Sequence, residues 1–208
     1  CGPSSSPPAS WAGRGRRALP PTQSIDLSRH PGGAPLQSGF GPAYLYSDGW
    51  VDDARLVVLN ARDAADRGAA IRTRTEVIGL ARTGDVWSVE TRTPDGAGSL
   101  FRARAVVNAS GPSVLALLER AHRLPDRAMR LVRGAHIVVP RLFDHGFAYM
   151  LQLPDGRILF ALPYEGDFTL IGTTDCDHQG SLDHVTASAE EIAYLCEAAS
   201  RYSAQPVT

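Results

Sequence analysis

The chain has 208 residues, 43% of them hydrophobic and 21% charged, with a formal net charge of -1. That balance suits a soluble globular fold with an ordinary core and gives no global field toward nucleic acid or an anionic membrane. No apolar run approaches the roughly 18 residues of a membrane-spanning helix, and Cys1, Cys176 and Cys196 have neither paired spacing nor a metal pattern, as suits a reducing compartment.

All 21 basic side chains are arginine, which offers two-pronged recognition of phosphate or carboxylate, although most of these read as solvated surface charge. The chain opens at Cys1 without the pattern of a signal peptide, and reads as a piece of a longer protein.

Residues 1–43 are rich in Pro, Gly, Ser and Arg and follow neither periodicity, so an irregular arm is expected. Within it, Gly13-Arg-Gly15-Arg-Arg-Ala18 fits the dinucleotide fingerprint G-x-G-x-x-G/A. The prolines on both sides leave no strand–turn–helix, so the match is read as chance. Asp52 or Asp53 then caps a helix with an apolar stripe at Leu56, Leu59, Ala64 and Ala65, and Gly68 ends it.

Three strand-like runs follow. Residues 70–75 continue through 77–82 to a turn at Gly84-Asp85, residues 86–91 reach a turn at Pro94-Asp95-Gly96, and residues 99–104 lead into Ala105-Val-Val-Asn-Ala109. That last stretch reads as a parallel strand buried on both faces. It runs into Ser110-Gly111-Pro112, at the strand end where open α/β sheets place ligands. A second helix is expected at 114–121. From residue 134 the texture changes to strands at 135–139, 148–153, 157–162 and 168–172, an antiparallel sheet with turns at Pro154-Asp155-Gly156 and Glu165-Gly166-Asp167. Ser188, with Glu190 and Glu191 in the first turn, opens a final helix to about Arg201.

The candidate chemistry is sparse. In Asn108-Ala-Ser-Gly-Pro112, Gly111 allows a tight turn whose main-chain groups can face a phosphate or an adenine ring; an ordinary strand-to-helix loop is the plain alternative. Imidazole titrates near neutrality, so the six histidines compete for proton transfer. His136 lies in a strand, where the residues alone favour a hydrogen-bonded core histidine. His30, His122, His145, His178 and His184 fall in loops, turns or on a helix face and read as solvated. Asp144-His145 and Asp175-Cys-Asp-His178 have no second cluster at a metal spacing, so no metal is expected. Thr173-Thr174-Asp175 reads as support for the following loop. No G-x-S-x-G elbow is present.

Longer segments carry a resemblance. Val51-Asp-Asp-Ala-Arg-Leu56, the helix to Gly68, Ile71-x-Thr-x-Thr75-x-Val77 and Ala105-Val-Val-Asn-Ala-Ser-Gly-Pro112 resemble the flavin-domain elements of the D-amino-acid-oxidase-like FAD superfamily. Arg130-Leu-Val-Arg-Gly-Ala-His-Ile-Val-Val-Pro-Arg141, Gly156-Arg-Ile-Leu-Phe-Ala-Leu-Pro-Tyr-Glu-Gly166 and Phe168-Thr-Leu-Ile-Gly-Thr-Thr-Asp175 are similar to the FAD-dependent glycerol-3-phosphate dehydrogenases. The chain departs from that family at Ser113, where Trp is usual, and at Arg133 and Ala135, where Lys and Ser are usual. The family's N-terminal glycine fingerprint, its late active-site Arg and Lys and its C-terminal helical domain have no counterpart in these residues.

The resemblance implies an α/β plus α+β fold. An irregular arm at 1–43 would precede a partial Rossmann-like FAD domain at 44–128 (helix, β-meander, parallel strand) and an antiparallel-sheet substrate (cap) domain at 129–208. It implies Thr75, Glu76, Val77, Ala109, Ser110, Gly111 and Pro112 at the cofactor, and His136 as the group that takes or holds the substrate hydroxyl proton, the 108–112 loop and His136 facing one flavin pocket. The implied reaction oxidises sn-glycerol 3-phosphate to dihydroxyacetone phosphate and passes electrons to a quinone. Peripheral attachment to the cytoplasmic face of the inner membrane would come through segments beyond these residues, and a homodimer is compatible. Another flavin oxidase of the superfamily, or a folded piece that binds no FAD, is the alternative.

Overall fold

A computed structural model describes residues 19–123 and 128–208 of the chain; the stretch at 13–18 and Cys1 lie outside them. Local sequence signals place most elements. Asp52 accepts from the Arg55 amide at 3.0 Å and opens α1 (Asp53–Asp66), and Gly68 follows its end at φ 94°. The meander β3 (Glu76–Thr83), β4 (Val86–Arg92) and β5 (Gly98–Ala103) is antiparallel throughout and forms a three-stranded sheet. A short 3-10 turn, Gly111–Ser113, leads into α2 (Val114–Arg120), which packs on β3.

The second unit is a four-stranded antiparallel sheet in the order β6 (Val132–Pro140), β9 (Phe168–Asp177), β8 (Ile158–Tyr164), β7 (Tyr149–Gln152). Its helix α3 (Ala189–Ser200) starts in a capping box: Ser188 Oγ accepts from the Glu191 amide at 3.2 Å, and Glu191 Oε2 accepts from the Ser188 amide at 2.7 Å. Arg133 of β6 also binds Glu191 at 3.0 Å, tying strand to helix. Strand alternation sends Leu159, Ala161 and Ile171 toward α3, where they pack with Val139, Phe143, Leu195, Ala198 and Ala199. Leu159 and Ile171 are fully buried, each contributing about 1.5–3 kcal/mol of hydrophobic stabilisation.

Three expectations are corrected. The arm is not irregular throughout: β1 (Gln23–Asp26) pairs antiparallel with β2 (Pro42–Leu45). The intervening loop lies on the four-stranded sheet and its helix, with Gln37 N donating to Tyr202 O at 2.7 Å and Ala204 N to Pro35 O at 2.8 Å. Residues 70–75 form no strand. The backbone turns at Arg74 (φ 51°), and Thr75 Oγ1 donates to Thr73 O at 3.0 Å. Nor is 105–109 a parallel strand; it has no ladder partner among the described residues, and Val107 is 86% exposed. A parallel strand exists only through its neighbours, and none of the nine described strands runs beside this one.

Candidate functional site: the open sheet face and the glycine loop

The four-stranded sheet has one covered face and one open face. Along β6, residues 133, 135, 137 and 139 turn inward, while Val132, His136 and Val138 stand on the open side. Pairing extends that side across the sheet. His136 lies opposite Gly172, Gly172 opposite Phe160, and Phe160 opposite Met150. The next row is Val138, Leu170 and Leu162. An apolar face thus surrounds a single exposed histidine. The core-histidine reading does not hold: His136 points away from the core, and its imidazole covers Gly172, which is buried for that reason.

The other predicted cofactor residues gather in the first unit. Arg120 of α2 binds Glu76 at 2.7 Å and also donates to the Val77 carbonyl, so the strand start and the helix that leaves the glycine loop are clamped together. Thr75 and Glu76 line an open cleft with Arg74, Arg92, Thr93 and Pro94. In the loop, Asn108 Oδ1 accepts from Ser110 Oγ at 2.7 Å and from its amide at 3.3 Å, while Asn108 Nδ2 donates to Val114 O at 2.9 Å. Ala109, Ser110, Gly111 and Pro112 are exposed. Gly111 sits at φ 55° with open space where a Cβ would stand. A loop held from behind and open in front fits the close approach of a dinucleotide. Among the described residues, no hydrogen bond or ion pair joins this unit to the sheet that carries His136.

Other histidines take structural places. His145, expected to be solvated, is half-buried and stacked on Phe143 with ring centroids 4.8 Å apart. Its Nδ1 accepts from the Phe147 amide at 3.3 Å, so Nε2 carries the proton and donates to Tyr149 Oη at 2.8 Å. Burial lowers the His145 pKa and pushes the Tyr149 phenol up to about 12. These partners lie within residues 143–149, but spacing alone does not show that the segment folds back on itself and onto the core, so sequence reasoning missed the network. Asp144 pairs with Arg141, Asp177 with Arg130, and His178 Nε2 contacts Ser181 O. No metal-binding cluster occurs among the described residues. Thr173 Oγ1 donates to Ile158 O at 2.6 Å, a supporting role; the side chains of Thr174 and Asp175 lie outside the described set. Cys176 and Cys196 are free.

The open sheet face with its one exposed histidine and the exposed glycine loop are the two candidate ligand surfaces among the described residues. Comparison with known proteins gives the family. The family model for FAD dependent oxidoreductases matches residues 5–207, and the chain belongs to that family. It is 46% identical over 190 residues to a D-erythritol 1-phosphate dehydrogenase of Brucella abortus, covering 90% of this chain and 38% of that protein. It is 42% identical over 183 residues to a glycerol-3-phosphate dehydrogenase of Pseudomonas aeruginosa, covering 88% and 35%. Among solved structures, the glycerol-3-phosphate dehydrogenase from Bacillus halodurans complexed with FAD superposes with a TM-score of 0.74 at 26% identity, over 85% of this chain and 37% of that one. The chain thus spans little more than a third of the length of these relatives. Among the described residues, no helix is long and apolar enough to cross a membrane.

Proposed function

We propose that the protein carrying this chain is an FAD-dependent dehydrogenase of a short polyol phosphate, with sn-glycerol 3-phosphate as substrate and dihydroxyacetone phosphate as product. The observation that carries this reading is His136 standing exposed on the open apolar sheet face. In it, residues 44–128 contribute to the flavin domain and residues 129–208 to the substrate domain. Ala109, Ser110, Gly111 and Pro112, with Thr75, Glu76 and Val77, would hold the dinucleotide. FAD, when bound, supplies the acceptor for the hydride from the secondary carbon. His136 takes the hydroxyl proton, and Val138, Phe160 and Leu162 keep bulk water from the reacting centre. Electrons then pass to a quinone at the cytoplasmic face of the inner membrane, where the intact protein attaches peripherally and a homodimer is compatible.

The apolar side chains of α1, none of them buried, support completion of the flavin domain by chain beyond these residues. A second reading, D-erythritol 1-phosphate as substrate, is favoured by the 46% identity to the Brucella enzyme. The test is purification of the intact protein, its flavin spectrum, and dye reduction with each phosphate. A colourless protein that takes up no FAD would sink the family-wide reading for this member. Turnover of D-erythritol 1-phosphate alone would move the assignment to the second substrate.

A further inference from the structure

Gly172 occupies the position on β9 directly opposite His136. The three nearest atoms that a Cβ built there would meet are Cδ2, Nε2 and Cγ of the His136 imidazole, with Cγ only 2.6 Å away. No side chain larger than hydrogen leaves the ring in its place. The side-chain hydrogen bonds made by histidines among the described residues belong to His30, His145 and His178. The His136 ring is held by packing instead, lying across the β9 backbone toward Phe160, the next residue in the row.

We propose that Gly172 is a positioning residue for His136: its bare α-carbon is the seat that lays the imidazole across the open face and aims its nitrogens along the sheet. This rests on the reading of His136 as the group that takes the substrate proton. An exposed side chain with no hydrogen-bond partner otherwise samples several staggered rotamers, and catalysis loses heavily when a proton acceptor is misplaced by about an ångström. Gly172 lies in an extended strand without a positive φ, so alanine is compatible with the backbone. The ring on an exposed side chain can swing outward to make room. Gly172→Ala therefore moves the imidazole while sparing the sheet.

The experiment is a double-mutant cycle in the flavin-loaded intact protein. Gly172→Ala is expected to lower kcat by about 10–100-fold while KM changes by less than about threefold. In a His136→Ala background, the same substitution is expected to change kcat by less than about twofold, because there is no ring left to displace. An equal loss in both backgrounds means a structural role and overturns the proposal. So does an unchanged kcat in Gly172→Ala, with the catalytic reading of His136 left standing if His136→Ala is impaired. An unchanged kcat in His136→Ala overturns both. A second readout is independent of turnover and of whether Gly172→Ala folds. In the flavin-free protein, an Overhauser contact between His136 Hδ2 and the Gly172 α-protons supports the seat; its absence overturns it.

Discussion

The Tyr149 phenol donates to the Gly32 carbonyl at 2.6 Å, joining the edge strand of the four-stranded sheet to a loop 117 residues earlier. Tyr149 in turn accepts from His145, so a relay of Phe147, His145, Tyr149 and Gly32 fastens the arm to the sheet. His30 Nδ1 accepts from the Gly32 amide at 3.0 Å and holds the same loop turn from its other side. Tyr149→Phe removes the central link and is expected to lower unfolding stability by about 1–2 kcal/mol, measured by urea denaturation. No loss would mean that apolar packing and the backbone bonds of Gln37 and Ala204 hold the arm without this link.

The relay also makes stability depend on pH. Burial lowers the His145 pKa below the ordinary 6.5, with His30 acting in the same direction and Asp144 opposing. The unfolded chain binds the proton more readily, so this contribution is complete above about pH 6.5 and is lost as the pH falls through the folded-state value. His145→Gln is expected to be less stable than the parent at pH 7.5 and to lose less on going to pH 5.5. Parallel stability curves for the two proteins would contradict the assignment.

Arg120 couples the strand start at Glu76 and Val77 to the helix that follows the glycine loop. The ion pair is substantially exposed and worth no more than about 1 kcal/mol. Arg120→Met is therefore expected to weaken FAD binding by the intact protein only about 2–5-fold, read by flavin fluorescence titration. A complete loss of FAD would show that the clamp is a direct ligand and not a support.

Two substitutions test the sheet unit. Ile171→Ala empties a fully buried site and is expected to cost about 2–5 kcal/mol. Ser188→Ala breaks the capping box of α3 and is expected to cost about 1 kcal/mol. Thermal denaturation separates them. Equal effects would mean that the cap, with Arg133 bound to Glu191, carries more of the packing than its exposure indicates.

The 208 residues alone are expected to show no turnover with added FAD. Residues 105–109 have no ladder partner among the described strands, and the apolar side chains Val57 and Val58 of α1 are 68% and 59% exposed. Dye reduction by this chain with FAD and sn-glycerol 3-phosphate would overturn the expectation.

By itself the sequence determined the features whose causes lie within a few residues. Asp52 and Ser188 cap helices through amides three positions away, Gly84, Gly96, Gly156 and Gly166 turn the chain at positive φ, and alternation marks β4. The family resemblance was legible too, because long segments carry it. Pairing and facing were not, since they depend on distant residues. Only the tertiary structure decided that residues 23–26 find a partner at 42–45, that 105–109 find none among the described strands, and that 70–75 turn at Arg74. The same applies to the two histidines. His136 and His145 share their residue chemistry, but one stands on an open face over Gly172 and the other is tucked between Phe143 and Tyr149. His136 is placed by the strand opposite it, whereas His145 sits in a bend that turns its ring back onto its own neighbours and the core, and residue spacing records neither outcome.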